Sequence, residues 1–503
     1  MEFDLLIQGF ASILTPKCLL LVFLGVTGGI LVGSLPGLTA TMGVALLVPF
    51  TFNLPINQGM AMLLGIFCGA IYGGSISAIL IRTPGTPAAA ATLLDGYPLA
   101  QRGEAGRALS MSVFSSFIGG FTGALIMTIL SPQISKFALK FGAPEYFALA
   151  VFGLSIIISV SGRSVIKGVI AGLFGLLIAT IGIDPVSGYP RFTFGTMNLF
   201  EGPSFIPTLI GLFAFSEIFK GVENIITQGK VESKINQLLP RFDDIKKSWK
   251  TILKSAVMGT FIGSIPGAGS DIAAFVGYSE AKRSSKEPEK FGEGEIEGVA
   301  AAESANNACT GGAMIPMLSL GVPGDAVTAV LLGAFVIQGL RPGPLLYRDH
   351  MDVVYSIFAG MMMANVVMFI VGLLGIKFFA RIISVNRNVL LPIIFLLSIV
   401  GSYSMRNSLF DVWLALIFGV IGYFMQRYEF PASPILLALI LGPMAESNLR
   451  RALIVSGGDY SVLFTRPISI ILIILAVLSL ITSLIRQLRY EKKMAARNLG
   501  IGA

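Results

Sequence analysis

The stretch Gly33-Ser34-Leu35-Pro36-Gly37 returns 230 residues later as Gly263-Ser264-Ile265-Pro266-Gly267. Both stretches interrupt apolar segments. Proline removes a backbone donor and breaks a helix, and glycine permits the turn that follows. Inside a bilayer such a break is tolerated only where protein or a water-filled cavity satisfies the freed backbone groups. The repeated stretch therefore predicts a pair of broken or re-entrant membrane helices.

A second pair of motifs follows the first in the same order. The segment from Gly73-Gly74-Ser75 to Pro84-Gly85 resembles the segment from Gly311-Gly312-Ala313 to Pro323-Gly324, at an offset of 238 that becomes 239. Each motif precedes a short expected helix, at 88–94 and at 326–337. Two signatures at nearly the same spacing indicate a duplicated half, as in many secondary transporters. We expect two repeated halves, inverted relative to one another, with the broken helices at the repeat interface.

The composition places these breaks in a membrane protein. Of the 503 residues, 54% are hydrophobic and only 13% are charged, whereas a soluble domain has about 25% charged residues. Apolar segments recur along the whole chain, and the alternation expected of an outer-membrane barrel strand is absent. These features exclude a soluble globular protein and a disordered one. The expected fold class is an all-α polytopic membrane protein.

Basic residues divide the chain and predict its orientation. Residues 1–220 would form the first transmembrane half, 221–250 a basic cytoplasmic linker, and 251–503 the second half with a basic cytoplasmic tail. Lysine and arginine mark cytoplasmic loops, so we attribute the net charge of +8 to membrane topology and expect no nucleic-acid partner. The N-terminus is poor in both residues and is expected outside.

The broken helices supply the candidate substrate site. Helix N-termini with free amides attract anions, and hydroxyl groups beside the breaks could donate further hydrogen bonds. The alternatives are structural: a packing kink at the first pair of Pro-Gly motifs, and an N-cap role for Thr83 and Thr86 at the second pair. The candidate substrate-binding residues are Ser34, Pro36, Gly37, Thr39, Thr83, Pro84, Gly85, Thr86, Ser264, Pro266, Gly267, Gly269, Ser270, Pro323 and Gly324.

Acidic and amide side chains near the breaks supply the candidate coupling-ion site. Asp271 and Asp325 follow two of the breaks, whereas Asn306 and Asn307 lie in a small-residue helix where unpartnered amides are costly to bury. We expect these four residues to serve a coupling Na⁺ or H⁺, with no catalytic residue, no cofactor and no further metal. The alternatives are N-capping by Asp325, a place in water at a helix mouth for Asp271, and helix–helix bonding by the asparagines. Glu303 is a further intramembrane carboxylate, and such residues are functional candidates by default.

Together the motifs resemble those of the large permease subunit of the tripartite tricarboxylate transporters, the TctA type. Departures from that family are small: Thr39-Ala40 stands where members often have Gly-Pro, and Ala302 stands where proline is frequent. The matching stretches run in family order across most of the chain, at 33–39, 72–85, 95–98, 103–109, 263–269, 280–298, 305–308 and 320–344.

The resemblance implies a secondary transporter that imports tricarboxylates such as citrate, or related carboxylates, driven by a sodium or proton gradient. It implies two protein partners, a small membrane subunit of the TctB type and an extracytoplasmic solute-binding protein of the TctC type. It also implies location in the bacterial cytoplasmic (inner) membrane and, by analogy with other binding-protein-dependent carriers, an elevator-like motion.

Two other functional classes stay open on the sequence alone. One is a membrane enzyme acting on a lipid-linked substrate, although the loop charges are mixed rather than grouped as such enzymes usually have them. The other is a passive anion channel, which would not need paired broken helices. An enzyme is not the expected outcome.

Overall fold

The computed structural model describes residues 2–160, 164–184, 187–223, 239–382 and 387–498. Almost all of its regular structure is helical. The helices are α1 (Glu2–Ile13), α2 (Pro16–Ser34), α3 (Ala40–Thr51), α4 (Ile56–Ile81), α5 (Ala89–Gln101), α6 (Ala105–Ala138), α7 (Ala143–Val160), α8 (Val165–Ala179), α9 (Phe205–Leu209), α10 (Ser216–Glu223), α11 (Phe242–Gly263), α12 (Gly269–Ser284), α13 (Ile296–Leu320), α14 (Ala326–Ile337), α15 (Pro344–Asp349), α16 (Met351–Ile382), α17 (Arg387–Ser404), α18 (Leu409–Arg427), α19 (Ser433–Val455) and α20 (Pro467–Asn498).

Shorter elements complete the chain. Strands β1 (Gly182–Ile183) and β2 (Pro190–Arg191) pair antiparallel. A π-helix, Ile210–Phe215, joins α9 to α10. Three 3₁₀ turns occupy Met197–Leu199, Pro288–Lys290 and Tyr460–Leu463.

Seven helical segments in the described ranges are long and apolar enough to cross a membrane, which confirms the all-α polytopic class. They are Pro16–Ser34, Ile56–Ile81, Ala105–Ala138, Phe205–Glu223, Met351–Ile382, Leu409–Arg427 and Pro467–Ile485. The expected linker, 221–250, is partly helical, because α11 begins at Phe242. Residues 224–238, with Lys230 and Lys234, lie outside the described residues.

Each repeated motif breaks the helical chain at the same place in both halves. The first break separates α2 from α3 and, in the second half, α11 from α12. The later break separates α4 from α5, and α13 from α14. Helix α14 has the expected bounds, whereas α5 runs past the expected end at residue 94 to Gln101.

The longer α5 has a clear anchor in the second half. The Asp95 carboxyl is fully buried, and its Oδ1 accepts hydrogen bonds from the backbone N–H groups of Gly292, Gly294 and Glu295, each at 2.8 Å. Charge-assisted bonds to three amides compensate for the burial of a carboxylate. Asp95 therefore holds a helix of the first half against the loop that leads into α13.

Close glycine contacts show that the repeat extends to packing. A methyl group added at Gly33 on α2 would lie 2.1 Å from the carbonyl oxygen of Ala70 on α4. At the equivalent place in the second half, a methyl added at Gly263 on α11 would lie 2.5 Å from the carbonyl oxygen of Cys309 on α13. The two contacts differ by 230 residues on one helix (263 − 33) and by 239 on the other (309 − 70).

A reciprocal pair of contacts fixes the repeat offset. An added methyl on Gly73 would lie 2.5 Å from the Ile30 carbonyl oxygen, and one on Gly312 would lie 2.2 Å from that of Thr260. The offset is therefore already 239 at Gly73, and its counterpart is Gly312. Gly311, the counterpart expected from the sequence, packs instead against the backbone of Gly123 on α6.

A polar cluster anchors the β-hairpin to α19. Arg191 and Arg450 each form ion pairs with both Glu446 and Asp184, the shortest being 2.6 Å between Arg191 and Glu446. The cluster matters for the site because the other end of α19 borders the cavity described next.

Candidate functional site

Four helix N-termini at broken helices meet at one cavity of about 540 Å³. The segments that border it are 39–41, 86–88, 269–271 and 325–327, at the starts of α3, α5, α12 and α14. Two belong to each repeated half. The volume lies within the range of roughly 300–1,000 Å³ that small-molecule sites occupy. The structure thus brings all four repeated breaks to one place.

Side chains cap two of these four helices. The Thr39 hydroxyl accepts the N–H of Met42 at 3.2 Å. Asp325 Oδ1 accepts the N–H of Thr328 at 2.7 Å, and the Thr328 hydroxyl accepts the N–H of Asp325 at 2.9 Å, which forms a capping box. The N-cap alternative therefore holds for Asp325 but not for Thr83 or Thr86, because Ala88 is the N-cap residue of α5. Thr39 is an N-cap that the sequence analysis did not predict. Thr39 and Asp325 also border the cavity.

The other two helices begin without a side-chain cap. Ala88 and Ala268 occupy the N-cap positions of α5 and α12. Beside α5, the Thr86 hydroxyl is buried and has no hydrogen-bond partner. In the first turn of α12, the Asp271 side chain is exposed and borders the cavity next to Ser270. These two ends offer the cavity a free hydroxyl, a carboxylate and uncapped helix ends.

Glycine is required where the breaks touch one another. In the first half, a methyl added at Gly85 would lie 1.9 Å from the Gly33 carbonyl oxygen. In the second half, the N–H of Gly267 donates to the carbonyl of Gly324 at 2.6 Å. Gly269 has φ of 71°, in the left-handed region that glycine adopts without strain. Of these glycines, Gly267 and Gly269 border the cavity.

Several of the predicted site residues contribute to the breaks and do not border the cavity. Ser34 and Ser264 donate to carbonyls of their own helices, at 2.9 and 2.7 Å, and Thr83 is exposed with its hydroxyl directed to Ile81. The predicted residues outside the cavity wall are Ser34, Pro36, Gly37, Thr83, Pro84, Gly85, Ser264, Pro266, Asn306, Asn307, Pro323 and Gly324. Those that border it are Thr39, Thr86, Gly267, Gly269, Ser270, Asp271 and Asp325.

The two asparagines are buried with unmet hydrogen bonds. Both amide atoms of Asn306 and the amide oxygen of Asn307 have no partner in the structure. Asn307 Nδ2 donates to the Glu303 carbonyl at 3.0 Å. An unsatisfied buried polar group costs about 1–3 kcal/mol. Helix–helix bonding therefore does not account for Asn306.

Sequence reasoning missed the four residues of the cavity wall that lie away from the breaks. Ile71 comes from α4, Phe213 comes from the π-helix, and Ser433 and Leu437 come from α19. Single-turn π-helices occur often at functional sites, but no sequence signal used above marks one within an apolar segment. Ser433 stands at the start of a helix and could have been found only as an N-terminal polar residue.

The cavity wall carries carboxylates and lacks side-chain cations. Asp271 and Asp325 border it, while no lysine or arginine of the described residues does. Arg82, next to one break, lies over the Tyr97 ring at 5.7 Å. No group of three or more His, Cys, Asp or Glu among the described residues could hold a metal ion.

The family model of the tripartite tricarboxylate transporter TctA family matches residues 19–437. The chain belongs to this family. The resemblance drawn from the motifs is thereby confirmed, and the TctA match covers both repeated halves up to Leu437 at the cavity.

Two proteins of Agrobacterium vitis are similar to this TctA-family chain. The uncharacterized 52.8 kDa protein in the TAR-I ttuC' 3'region is 38% identical over 484 residues, which is 96% of each chain. The uncharacterized protein in the TAR-II ttuC' 3'region is 38% identical over 234 residues, 46% of this chain and 97% of that protein. No solved structure matches the chain. Family and fold together identify a multi-pass membrane protein of a tripartite tricarboxylate transporter.

Proposed function

We propose that this protein is the permease subunit of a binding-protein-dependent secondary transporter that imports tricarboxylates or related carboxylates. The observation that carries the proposal is the meeting of four broken-helix N-termini at one cavity. Each helix N-terminus carries about half a positive charge, which suits a multiply charged anion. Duplicated carriers place their sites at discontinuous helices between the repeats.

A cation must accompany the anion on this proposal. The carboxylates of Asp271 and Asp325 border the same cavity, and no described lysine or arginine side chain offsets them. A buried anion must be paired or hydrogen-bonded. Sodium ions or protons held near Asp271, Asp325, Asn306 and Asn307 would lower the electrostatic cost of the substrate, and the substrate would lower theirs. The import would then follow a sodium or proton gradient.

The remaining parts of the proposal come from the family. A small TctB-type membrane subunit and an extracytoplasmic TctC-type binding protein would complete the transporter in the bacterial cytoplasmic membrane. An elevator-like motion of the helices around the cavity would carry the substrate across.

Uptake into proteoliposomes tests the proposal. The purified chain, with its small subunit and binding protein, should accumulate labelled citrate or another tricarboxylate only under an inward sodium or proton gradient. Equal downhill flux without any gradient coupling would indicate a passive channel. Chemical conversion of a lipid-linked substrate without uptake would indicate an enzyme.

Cysteine labelling tests the inverted topology of the halves. The three native cysteines are buried, so single cysteines at two exposed positions, Phe3 and Lys246, report on their own sides. The charge distribution predicts Phe3→Cys outside and Lys246→Cys in the cytoplasm. Labelling of both from one side would refute the inverted arrangement.

A further inference from the structure

Glu303 on α13 is a fully buried carboxyl enclosed by hydroxyl groups. The Thr92 hydroxyl on α5 donates to Glu303 Oε1, and the Ser116 hydroxyl on α6 donates to Oε2 at 2.8 Å. Ser75 on α4 and Ser112 on α6 bond one another at 2.7 Å and face the same carboxyl. Four helices thus meet at one acidic side chain.

No cationic side chain of the described residues forms an ion pair with Glu303. Arg107 on α6 pairs with Asp244 at 2.6 Å, and Lys254 on α11 pairs with Glu280 at 2.5 Å. The other lysines and arginines on the helices packed around α13 are all exposed, namely Lys136 on α6, Lys246, Lys247 and Lys250 on α11, Lys282 and Arg283 on α12, and Arg348 on α15. The remaining titratable groups on those helices are not cationic, namely Cys68 and Tyr72 on α4, Asp95 and Tyr97 on α5, Asp243 on α11, Asp271 and Tyr278 on α12, Asp325 at the start of α14, and Tyr347 and Asp349 on α15. The Tyr72 hydroxyl is itself buried without a partner.

The arrangement suits a proton better than a metal ion. Burial without a cation favours the neutral carboxyl, whereas hydroxyls that donate to its oxygens favour the charged form. Because the two effects oppose one another, the site can hold the carboxyl in either protonation state. A metal ion would need several oxygens directed at one centre, whereas these hydroxyls bond to the carboxyl or to one another. The carboxyl lies seven residues into α13, about 10 Å along the axis from its N-terminus.

Helix α5 connects this carboxyl to the cavity. Ala88 borders the cavity, and Thr92 lies four residues farther along α5, about 6 Å along the axis. A change in the charge of Glu303 alters the hydrogen bond that holds Thr92. Helix α5 thus gives a direct structural connection between the Glu303 carboxyl and the cavity wall.

We propose that Glu303, enclosed by the hydroxyls of Thr92, Ser116, Ser75 and Ser112, is a proton-binding site that loads and releases one proton in each transport cycle. The proposal rests on the proposed transport function for its role, but the protonated carboxyl itself is independent of any substrate. It adds a site to the four residues predicted for a coupling ion.

Infrared difference spectroscopy of the purified chain in lipid nanodiscs tests the site without transport. The wild type should show a protonated carboxyl stretch at neutral pH that Glu303→Gln removes. The matched control, Glu297→Gln, removes an acid from the start of the same helix and should leave the band in place. A spectrum that assigns only ionised carboxylate to Glu303 at neutral pH would overturn the proposal. So would conversion of the band to carboxylate on adding sodium at fixed pH, because sodium would then be the ligand.

Transport provides the second readout. Glutamine mimics the neutral acid, so Glu303→Gln should retain substrate exchange but lose pH-driven accumulation by about 5–150-fold, the usual span of coupling effects. Unchanged pH-driven accumulation would overturn the coupling role. If no carboxylate is transported by the wild type, the proposed function fails while the infrared result still decides the site. If Glu303→Gln does not fold, Thr92→Val should shift the carboxyl band, and an unshifted band would contradict the assignment.

Discussion

Thr41 and Thr86 in the first half stand at the repeat positions that Asp271 and Asp325 occupy in the second, 230 and 239 residues later. Inside the helix bundle, apolar residues of α4 occupy the repeat positions at which α13 carries polar residues. Leu64, Phe67 and Cys68 are buried core residues of α4, and their counterparts on α13 are Glu303, Asn306 and Asn307.

The comparison of the two halves separates the residues that the fold requires from those that it does not require. Glycines at the contacts recur in both halves because two helix backbones can approach closely only there. Carboxyl and amide groups occur at these positions in the second half alone, although the first half builds the same helices without them. The acidic and amide groups of the second half are therefore additions to a helical framework that both halves share.

The largest expected effect comes from breaking this shared framework. Gly85→Ala and Gly324→Ala would place methyl groups 1.9 Å from the Gly33 oxygen and 2.5 Å from the Ala313 Cα. Because the atoms in conflict belong to the backbone and cannot rotate away, the cost should far exceed the value of about 1–3 kcal/mol that is usual for an added methylene. Both variants should therefore lose most of their folded yield in size-exclusion chromatography. Gly28→Ala, which meets no atom within 4 Å, is the matched control and should behave as wild type. A well-folded Gly324→Ala would show that only the first half depends on its glycine.

The next largest effect comes from truncating the side chains at two equivalent repeat positions, one on α4 and one on α13. Phe67→Ala should lower the free energy of unfolding by about 3–5 kcal/mol. Asn306→Ala should cost far less, because it removes a donor and an acceptor that are already unsatisfied. Thermal unfolding in detergent measures both. If Asn306→Ala destabilises as much as Phe67→Ala, the amide is structural and its coupling-ion role is wrong.

A smaller effect is expected at the cavity. Asp271→Asn should reduce the dependence of substrate affinity on the coupling cation by about 5–150-fold, or 1–3 kcal/mol, with little loss of stability because the side chain is exposed. Thr41→Ser, at the equivalent position, should leave that dependence unchanged. Affinity that is identical with and without every candidate cation, at fixed pH and ionic strength, would show that the helix amides bind the anion alone.

The smallest effect is expected at an exposed ion pair between α11 and α12 that the first half lacks. Lys254 and Glu280 form an ion pair at the positions of Leu24 and Phe50. The hydrogen bond from Lys254 lowers the pKa of Glu280 from 4.5 to about 2. A lowered pKa stabilises the fold above pH 4.5 and loses that contribution as the pH falls toward 2. Glu280→Gln should therefore unfold slightly earlier than wild type at pH 7, and the difference should vanish in acid. A difference that grows in acid would contradict this sign.

The helix breaks and the repeat were predictable because they depend on local sequence. The repeated Pro-Gly pairs at Pro36, Pro84, Pro266 and Pro323 each mark one break, so the four breaks and the repeat followed from the chain. Proline alone is not sufficient, because Pro132 lies inside α6. The cavity wall was only partly predictable: Thr39 and Asp271 sit beside the breaks, but Phe213 and Ser433 reach the cavity through tertiary packing. The depth of burial of Glu303, and the hydroxyls around it, likewise arise from contacts between distant helices.

The bond between Asp95 and the loop before α13 has a consequence for biosynthesis. Its acceptor carboxylate is made 197 residues before the first of its amide donors, at Gly292. At about 5–20 residues per second, the ribosome needs roughly 10–40 s to supply that partner. During this interval the Asp95 carboxyl on α5 lacks its three amide donors, so the final packing of α5 must wait for them. Folding of the first half therefore depends on synthesis of the second half, because α5 can pack completely only after the loop before α13 has left the ribosome.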